Sequence, residues 1–118
     1  MIVMHVGDAK KAEGIQKIAK DLGEKVLSIG GKDLDRTLIS FSMGKEMRKN
    51  MKLPPLYAMP ELLLFVGMAD AKLDLFLEKY RNAGLAPIAL KAVSTKHNAQ
   101  WTVYELIGRL QEEAAIKV

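Results

Sequence analysis

Two apolar segments constrain this fold more than any other feature of the sequence. MIVMHV at 1–6 and LLLFV at 62–66 are apolar at almost every position, and each is followed by a glycine. A strand with one buried face alternates apolar and polar residues, whereas a strand covered on both faces is apolar throughout. The two segments therefore predict two central β-strands that have packing layers on both sides.

A helix and then another strand are predicted after each of these segments. Apolar residues recur at three- and four-residue steps, which is the pattern of an amphipathic helix. Asp8 is placed to cap the first helix, and Gly23 and Gly84 stand where the two helices should end. The strands that follow are KVLSI at 25–29 and PIALKAV at 87–93, of which the second opens with a proline, as edge strands do.

A long connection joins these two β-α-β modules. The segment DLDRTLISFSM at 33–43 predicts a short helix that begins at Asp33 or Asp35 and stops at Gly44. LPPLYAMP at 53–60 carries three of the four prolines and is expected to be extended loop.

The chain is expected to close with a helix from Thr102 to Lys117. Thr102 and Glu105 have the spacing of a capping box, in which each side chain binds the other residue's backbone amide. Trp101 and Leu106 occupy the two positions of a hydrophobic staple at the same helix end.

These elements predict one α+β domain over residues 1–118. The preferred architecture is ferredoxin-like, with two split βαβ units, the first and third strands central, a helical insertion and an extra C-terminal helix. The alternative is a three-layer α/β domain with a mostly parallel sheet. Either the two additional helices or a second subunit must cover the second sheet face. The predicted parts are 1–30 (first βαβ), 31–60 (helical or loop connection), 61–93 (second βαβ) and 94–118 (loop and helix).

The net charge of +4 is concentrated in the connection, where residues 31–60 hold six basic and three acidic side chains. Lys45, Arg48, Lys49 and Lys52 form a basic patch that could meet nucleic acid or another acidic partner. A solvated surface is the preferred interpretation, because aromatic residues that would stack on bases are missing there.

The most unusual stretch is LKAVSTKHNAQW at 90–101, which contains the only tryptophan. In a functional interpretation, Lys91, Thr95, His97, Asn98 and Trp101 line a polar pocket at the start of the last helix, where oriented amides favour an anion. In a structural interpretation, the threonine and asparagine bind loop backbone, and the tryptophan is the helix staple. The sequence leaves both open.

Known catalytic and cofactor motifs do not fit the chain. SIGGKD at 28–33 has valine where a P-loop needs its first glycine and aspartate where it needs serine or threonine. Cysteine is absent and the two histidines lack ligand spacing, so no metal site is predicted. No cofactor is expected, and no residue is assigned as catalytic.

The second half of the chain resembles the C-terminal part of a family of small bacterial proteins known as a domain of unknown function. The resemblance spans residues 61–113. It is carried by F-V-G at 65–67, L-D-L-F-L at 73–77, A-G at 83–84 and the signature LKAV-x-T-x-x-N-x-x-W at 90–101. Family members often have Pro-Thr where this chain has Lys96-His97. The resemblance implies a small cytoplasmic protein whose shared residues cluster in the last loop, and it implies no activity.

The function predicted is a non-catalytic ligand-binding or regulatory module in the cytoplasm, with a homodimer and a small anionic ligand as expected partners. One alternative is a small enzyme that uses Lys91 or His97 as acid or base. The other is nucleic-acid binding through residues 45–52. A membrane partner is not expected, because the longest apolar run, 62–69, is far too short for a span.

Overall fold

The computed structural model describes residues 1–116. Lys117, the predicted end of the last helix, and Val118 lie outside the described residues. The described elements are β1 (Ile2–His5), α1 (Ala9–Asp21), β2 (Val26–Ser28), a short 3-10 turn (Gly31–Asp33), α2 (Leu38–Met43), β3 (Leu62–Phe65), α3 (Asp70–Asn82), β4 (Leu90–Val93) and α4 (Val103–Ile116).

The four strands form one mixed sheet in the order β2-β1-β3-β4. The central strands β1 and β3 are antiparallel, while β2 lies parallel to β1 and β4 lies parallel to β3. The α+β class and the central position of the first and third strands are confirmed. The ferredoxin-like arrangement is not, because each βαβ unit places its two strands side by side. Ile2 pairs directly with Val26, and Leu62 pairs with Leu90, so no strand separates the partners.

Helices cover both faces of the sheet, as the apolar strands predicted. Apolar side chains of α1 and α3 pack on one face around Ile2, Leu63 and Phe65. Side chains of α2 and α4 pack on the other face around Val3, Leu62 and Leu64. The molecule therefore has three layers, and the two additional helices of the same chain supply the third.

Residues 1–43 and 62–116, termed the first half and the second half, repeat the same order of elements. Helices α1 and α3 are both 13 residues long. Gly23 and Gly84 follow them with φ angles of 71° and 69°, a conformation that glycine adopts without strain. Each half then runs through a strand and a polar loop into a second helix.

The polar loops after β2 and β4 have the same internal hydrogen bond. The Gly30 amide donates to the Asp33 carboxylate at 3.0 Å, and the Thr95 amide donates to the Asn98 side-chain oxygen at 2.8 Å. In both loops the acceptor lies three residues after the donor. Aspartate and asparagine are typical of this role, because their short side chains reach nearby backbone amides.

The first backbone amides of α2 and α4 have hydrogen-bond partners in each other's half of the chain. Amides at the start of each helix donate to carbonyls of the loop that precedes the other helix, so neither helix end is left with free donors. The four bonds are Leu38 N to Trp101 O at 2.9 Å, Ile39 N to Ala99 O at 2.8 Å, Val103 N to Arg36 O at 2.9 Å and Tyr104 N to Leu34 O at 3.0 Å.

This exchange explains where the prediction for residues 33–43 was wrong. The helix begins at Leu38, rather than at Asp33 or Asp35. The carbonyls of Leu34 and Arg36 accept bonds from α4, so they cannot take part in an earlier helical turn. The predicted stop at Gly44 is confirmed, with φ of 64°.

Candidate functional site

The polar residues of the loop between β4 and α4 bind one another. The Asn98 side chain is buried; its oxygen accepts from the Thr95 amide at 2.8 Å, and its nitrogen donates to the Val93 carbonyl at 3.0 Å. The Thr95 hydroxyl oxygen accepts from the His97 amide at 3.2 Å. Asn98 and Thr95 therefore hold the shape of the turn, as the structural interpretation requires.

The amides at the start of α4 already have partners. The Thr102 amide donates to the Glu105 carboxylate at 2.9 Å, and the Glu105 amide donates to the Thr102 hydroxyl oxygen at 3.1 Å, which confirms the capping box. The bond from Thr102 holds the pKa of Glu105 below its ordinary value. Since the next two amides bond to the loop before α2, few donors remain here for an anion.

Lys91 and Trp101 are associated with opposite sheet faces. Lys91 pairs in register with Leu63, whose side chain belongs to the α1 and α3 side. Trp101 packs against the core on the other side, which contains Leu106, its predicted staple partner. The Arg109 guanidinium lies 4.9 Å from the centre of the Trp101 ring. The predicted set of five residues is thus divided, with only Thr95, His97 and Asn98 gathered in one turn.

The predicted basic patch at 45–52 is partly neutralised. Arg48 pairs with Asp35 and also lies 3.5 Å from the Glu46 carboxylate. Lys49 lies 3.3 Å from the Glu105 carboxylate. Only Lys45 and Lys52 of the four basic side chains, both exposed, form no ion pair among the described residues.

A cavity of about 470 Å³ lies on the α3 side of the sheet, beside the edge strand β4. Its residues come from α3, β3, β4 and the loop 85–88. The lining is mostly apolar and includes Leu63, Phe76, Leu77 and Ile88, together with the basic residues Arg81 and Lys91. Lys91 is the only predicted site residue that lines this cavity.

The loop 85–88 exists only in the second half. Val26 and Lys91 correspond, because they pair with Ile2 and Leu63, whose side chains lie on the same face of the sheet. Two residues separate Gly23 from Val26 in the first half, whereas six separate Gly84 from Lys91 in the second half. The four additional residues build one wall of the cavity. The cavity therefore lies where the second half differs from the first, and not in the part of the structure that the two halves share.

Three contacts hold this loop in place. The Tyr80 hydroxyl donates to the Ala86 carbonyl, and the Lys11 ammonium donates to the Pro87 carbonyl at 3.3 Å. Burial raises the pKa of Tyr80 above its ordinary value. Leu85 lies so close to Gly14 of α1 that a Cβ there would come within 2.4 Å of its Cδ1. The wall is thus anchored to both helices of this layer.

A shallower groove of about 120 Å³ continues from the cavity along β4. It shares Leu77 and Lys91 with the cavity and adds the apolar surfaces of Phe65, Leu73 and Val93. No acidic side chain of the described residues lines either depression.

The sequence did not predict this cavity, because its lining residues also fit the patterns of an amphipathic helix and of a β-strand. Phe76, Leu77 and Tyr80 belong to the apolar stripe of a helix, and Ile88 belongs to a strand-like segment. The available signal was the length difference between the two otherwise similar halves. That difference places extra chain beside the edge strand.

Two other kinds of site are missing from the described part of the chain. No cluster of three or more histidine, aspartate or glutamate side chains there could hold a metal ion. Within the same residues, none of the helices is both long enough and apolar enough to cross a bilayer.

Part of the chain is similar to a known family of domains. Residues 61–116 match the model of a domain of unknown function, DUF3783. This confirms the predicted likeness to a domain of that kind. The match runs from β3 through α4, so it contains the cavity loop and covers the second half. No match was found among curated proteins or among solved structures.

Proposed function

We propose that this protein is a non-catalytic ligand-binding or regulatory module, and that its ligand occupies the cavity between α3, β4 and the loop 85–88. The observation that carries this proposal is the cavity itself, at about 470 Å³. Small-molecule sites have volumes of roughly 300–1,000 Å³, apolar walls and a few polar groups, and are largely formed before the ligand binds. The anchored loop supplies such a wall.

The contacts of Lys91 and His97 favour binding over catalysis. A general acid or base needs an orienting partner or a substrate proton within hydrogen-bond reach. Among residues 1–116, no side chain forms a hydrogen bond with the Lys91 ammonium or with the His97 ring. The enzyme alternative therefore has no preformed acid–base pair at these two residues.

The remaining expectations about partners and origin are also proposals. The basic segment 45–52 is a weaker candidate for nucleic-acid binding, because Arg48 and Lys49 are engaged with carboxylates. A homodimer would have to use surfaces other than the sheet faces, since helices of the same chain cover both. We retain a cytoplasmic location, a bacterial origin and the role of the 90–101 signature as proposals that rest on the family resemblance.

A neutral apolar dye tests whether the cavity binds ligands. We expect the fluorescence of N-phenyl-1-naphthylamine to rise on addition of the full chain, with saturation at one dye per chain. Leu77→Glu should abolish the rise, because the half-buried Leu77 lines both the cavity and the groove. Leu75→Glu is the matched control, since Leu75 lies on the same helix, is 42% exposed and does not line the cavity.

Each variant must first show the circular dichroism spectrum of the folded protein. The proposal fails when the dye does not bind to the folded wild-type chain. It also fails when Leu75→Glu and Leu77→Glu reduce the fluorescence equally, because the dye would then bind outside the cavity.

A further inference from the structure

We infer that the ligand of this cavity is an amphipathic anion, namely a small carboxylate with an apolar alkyl or aryl body; this inference rests on the proposed function. Among residues 1–116, Arg81 and Lys91 are the only charged residues that line the cavity, and both are basic. Both side chains are exposed at the rim of the cavity, where their charged ends can reach a bound ligand. A carboxylate would neutralise them and accept their hydrogen bonds.

The two cations are available because the chain does not pair them. Among the described residues, neither the Arg81 guanidinium nor the Lys91 ammonium forms an ion pair, although other basic side chains such as Lys11 and Lys72 pair with glutamates at 2.5 and 2.9 Å. Glu78 lies one helical turn before Arg81 but does not line the cavity. Glu113 shares another depression with Lys91, but it does not line the cavity or form an ion pair with Lys91. Within the cavity, the described side chains therefore offer two positive charges and no negative one.

The position of Lys91 also indicates how the ligand lies. Lys91 lines both the cavity and the groove, so its charge stands where the two apolar depressions meet. The apolar body of the ligand packs against Leu77, Tyr80 and Leu85, the partly exposed apolar side chains of the lining, while Leu63, Phe76 and Ile88 lie buried behind them. The carboxylate remains near the opening, where its desolvation costs least.

The first half of the chain provides a comparison for the charge pattern. The residue that corresponds to Arg81 in α1 is Lys20, and the residue in the register of Lys91 is Val26. The first half therefore lacks both the second cation and the added loop at these equivalent positions. Lys20→Met removes a cation at the equivalent helix position without touching the cavity, which makes it a matched control.

A comparison of octanoate with octan-1-ol separates the contribution of the ligand's charge to the affinity from that of its apolar body. Their affinities are measured at pH 7 by displacement of N-phenyl-1-naphthylamine from the full chain. We expect octanoate to bind about tenfold more tightly than octan-1-ol, which corresponds to one charge-assisted contact. Lys91→Met and Arg81→Met should each reduce that preference by about threefold or more, while Lys20→Met leaves it unchanged.

The possible failures are separable. If the dye binds and octanoate and octan-1-ol displace it equally, the anion inference is overturned and the proposed function stands. The same holds if octanoate is preferred but neither Lys91→Met nor Arg81→Met changes the preference. If the dye and both octyl compounds all fail to bind to the folded chain, the proposed function itself is overturned.

Discussion

The two halves of this protein share a backbone plan but differ at the outer edges of the sheet. In the first half, two residues carry the chain from Gly23 to β2, and no added loop stands beside that edge. In the second half, the added loop 85–88 stands away from β4 and a cavity lies beneath it. The two halves therefore share the framework, while the difference between them creates the candidate site.

A second difference follows from the same loop. Leu85 occupies the space above Gly14 of α1, whereas the corresponding position of α3 is Leu75, which is 42% exposed. The shorter connection of the first half has no residue that could cover Leu75. A glycine in one helix and an exposed leucine in the other are thus two consequences of one difference in loop length.

The largest expected effect on the free energy of unfolding concerns the polar loops that follow β2 and β4. Asn98→Ala removes two part-buried hydrogen bonds, those to the Thr95 amide and the Val93 carbonyl, so we expect a loss of about 2 kcal/mol in the free energy of unfolding. Asp33→Asn is the counterpart in the first half. It keeps an acceptor for the Gly30 amide but removes the carboxylate's long contacts with Arg36 at 3.8 Å and Arg48 at 4.0 Å, so we expect a loss of about 1 kcal/mol. Urea titration measures both. Similar losses in the two variants would contradict the assigned roles.

A smaller effect on stability should come from exchanging the residues at the equivalent positions of α1 and α3, which are Gly14 and Leu75. Gly14→Leu overpacks the site that Leu85 fills, at a cost of about 1–3 kcal/mol that better helix propensity offsets by under about 1 kcal/mol. Leu75→Gly should lose about 1 kcal/mol through propensity alone. Thermal unfolding measures the variants. The double variant Gly14→Leu with Leu85→Ala should unfold at a higher temperature than Gly14→Leu, and failure to do so would contradict the packing of Leu85 on α1.

The smallest expected effect concerns the caps of α2 and α4. The Glu105 carboxylate closes the cap of α4, so Glu105→Ala should cost about 1 kcal/mol at pH 7. Because the folded pKa of Glu105 is lowered, its contribution is complete above the unfolded value of about 4.3 and is lost as pH falls through the folded value. The cost of Glu105→Ala should therefore shrink in acid, which urea titrations between pH 3 and 7 can follow.

The corresponding cap in the first half provides the control for this pH dependence. There the Thr37 amide donates to the Met47 carbonyl at 2.8 Å, and Ser40 occupies the position that Glu105 has in α4. Ser40→Ala removes no ionisable group, so its cost should be the same across this pH range. A pH-dependent cost for Ser40→Ala, or a constant cost for Glu105→Ala, would contradict the comparison.

Local patterns in the sequence predicted most of the elements correctly. The helices after each apolar strand, the stop at Gly44 and the capping box of Thr102 and Glu105 all depend on residues within a few positions of one another. Such short-range interactions can be read from spacing alone. The apolar character of β1 and β3 likewise required cover on both faces, and the structure provides it.

The sequence did not determine the sheet order, the start of α2 or the cavity, because each depends on contacts between distant parts of the chain. Leu34 gives its carbonyl to Tyr104, seventy positions away, so no local signal excludes an earlier helix start. The cavity requires the loop 85–88, α3 and the edge of β4 to meet, with Lys11 of the first half bonded to Pro87. Periodicity and capping fix which segments become helices and strands, but loop length and long-range hydrogen bonds decide how they assemble and where space is left.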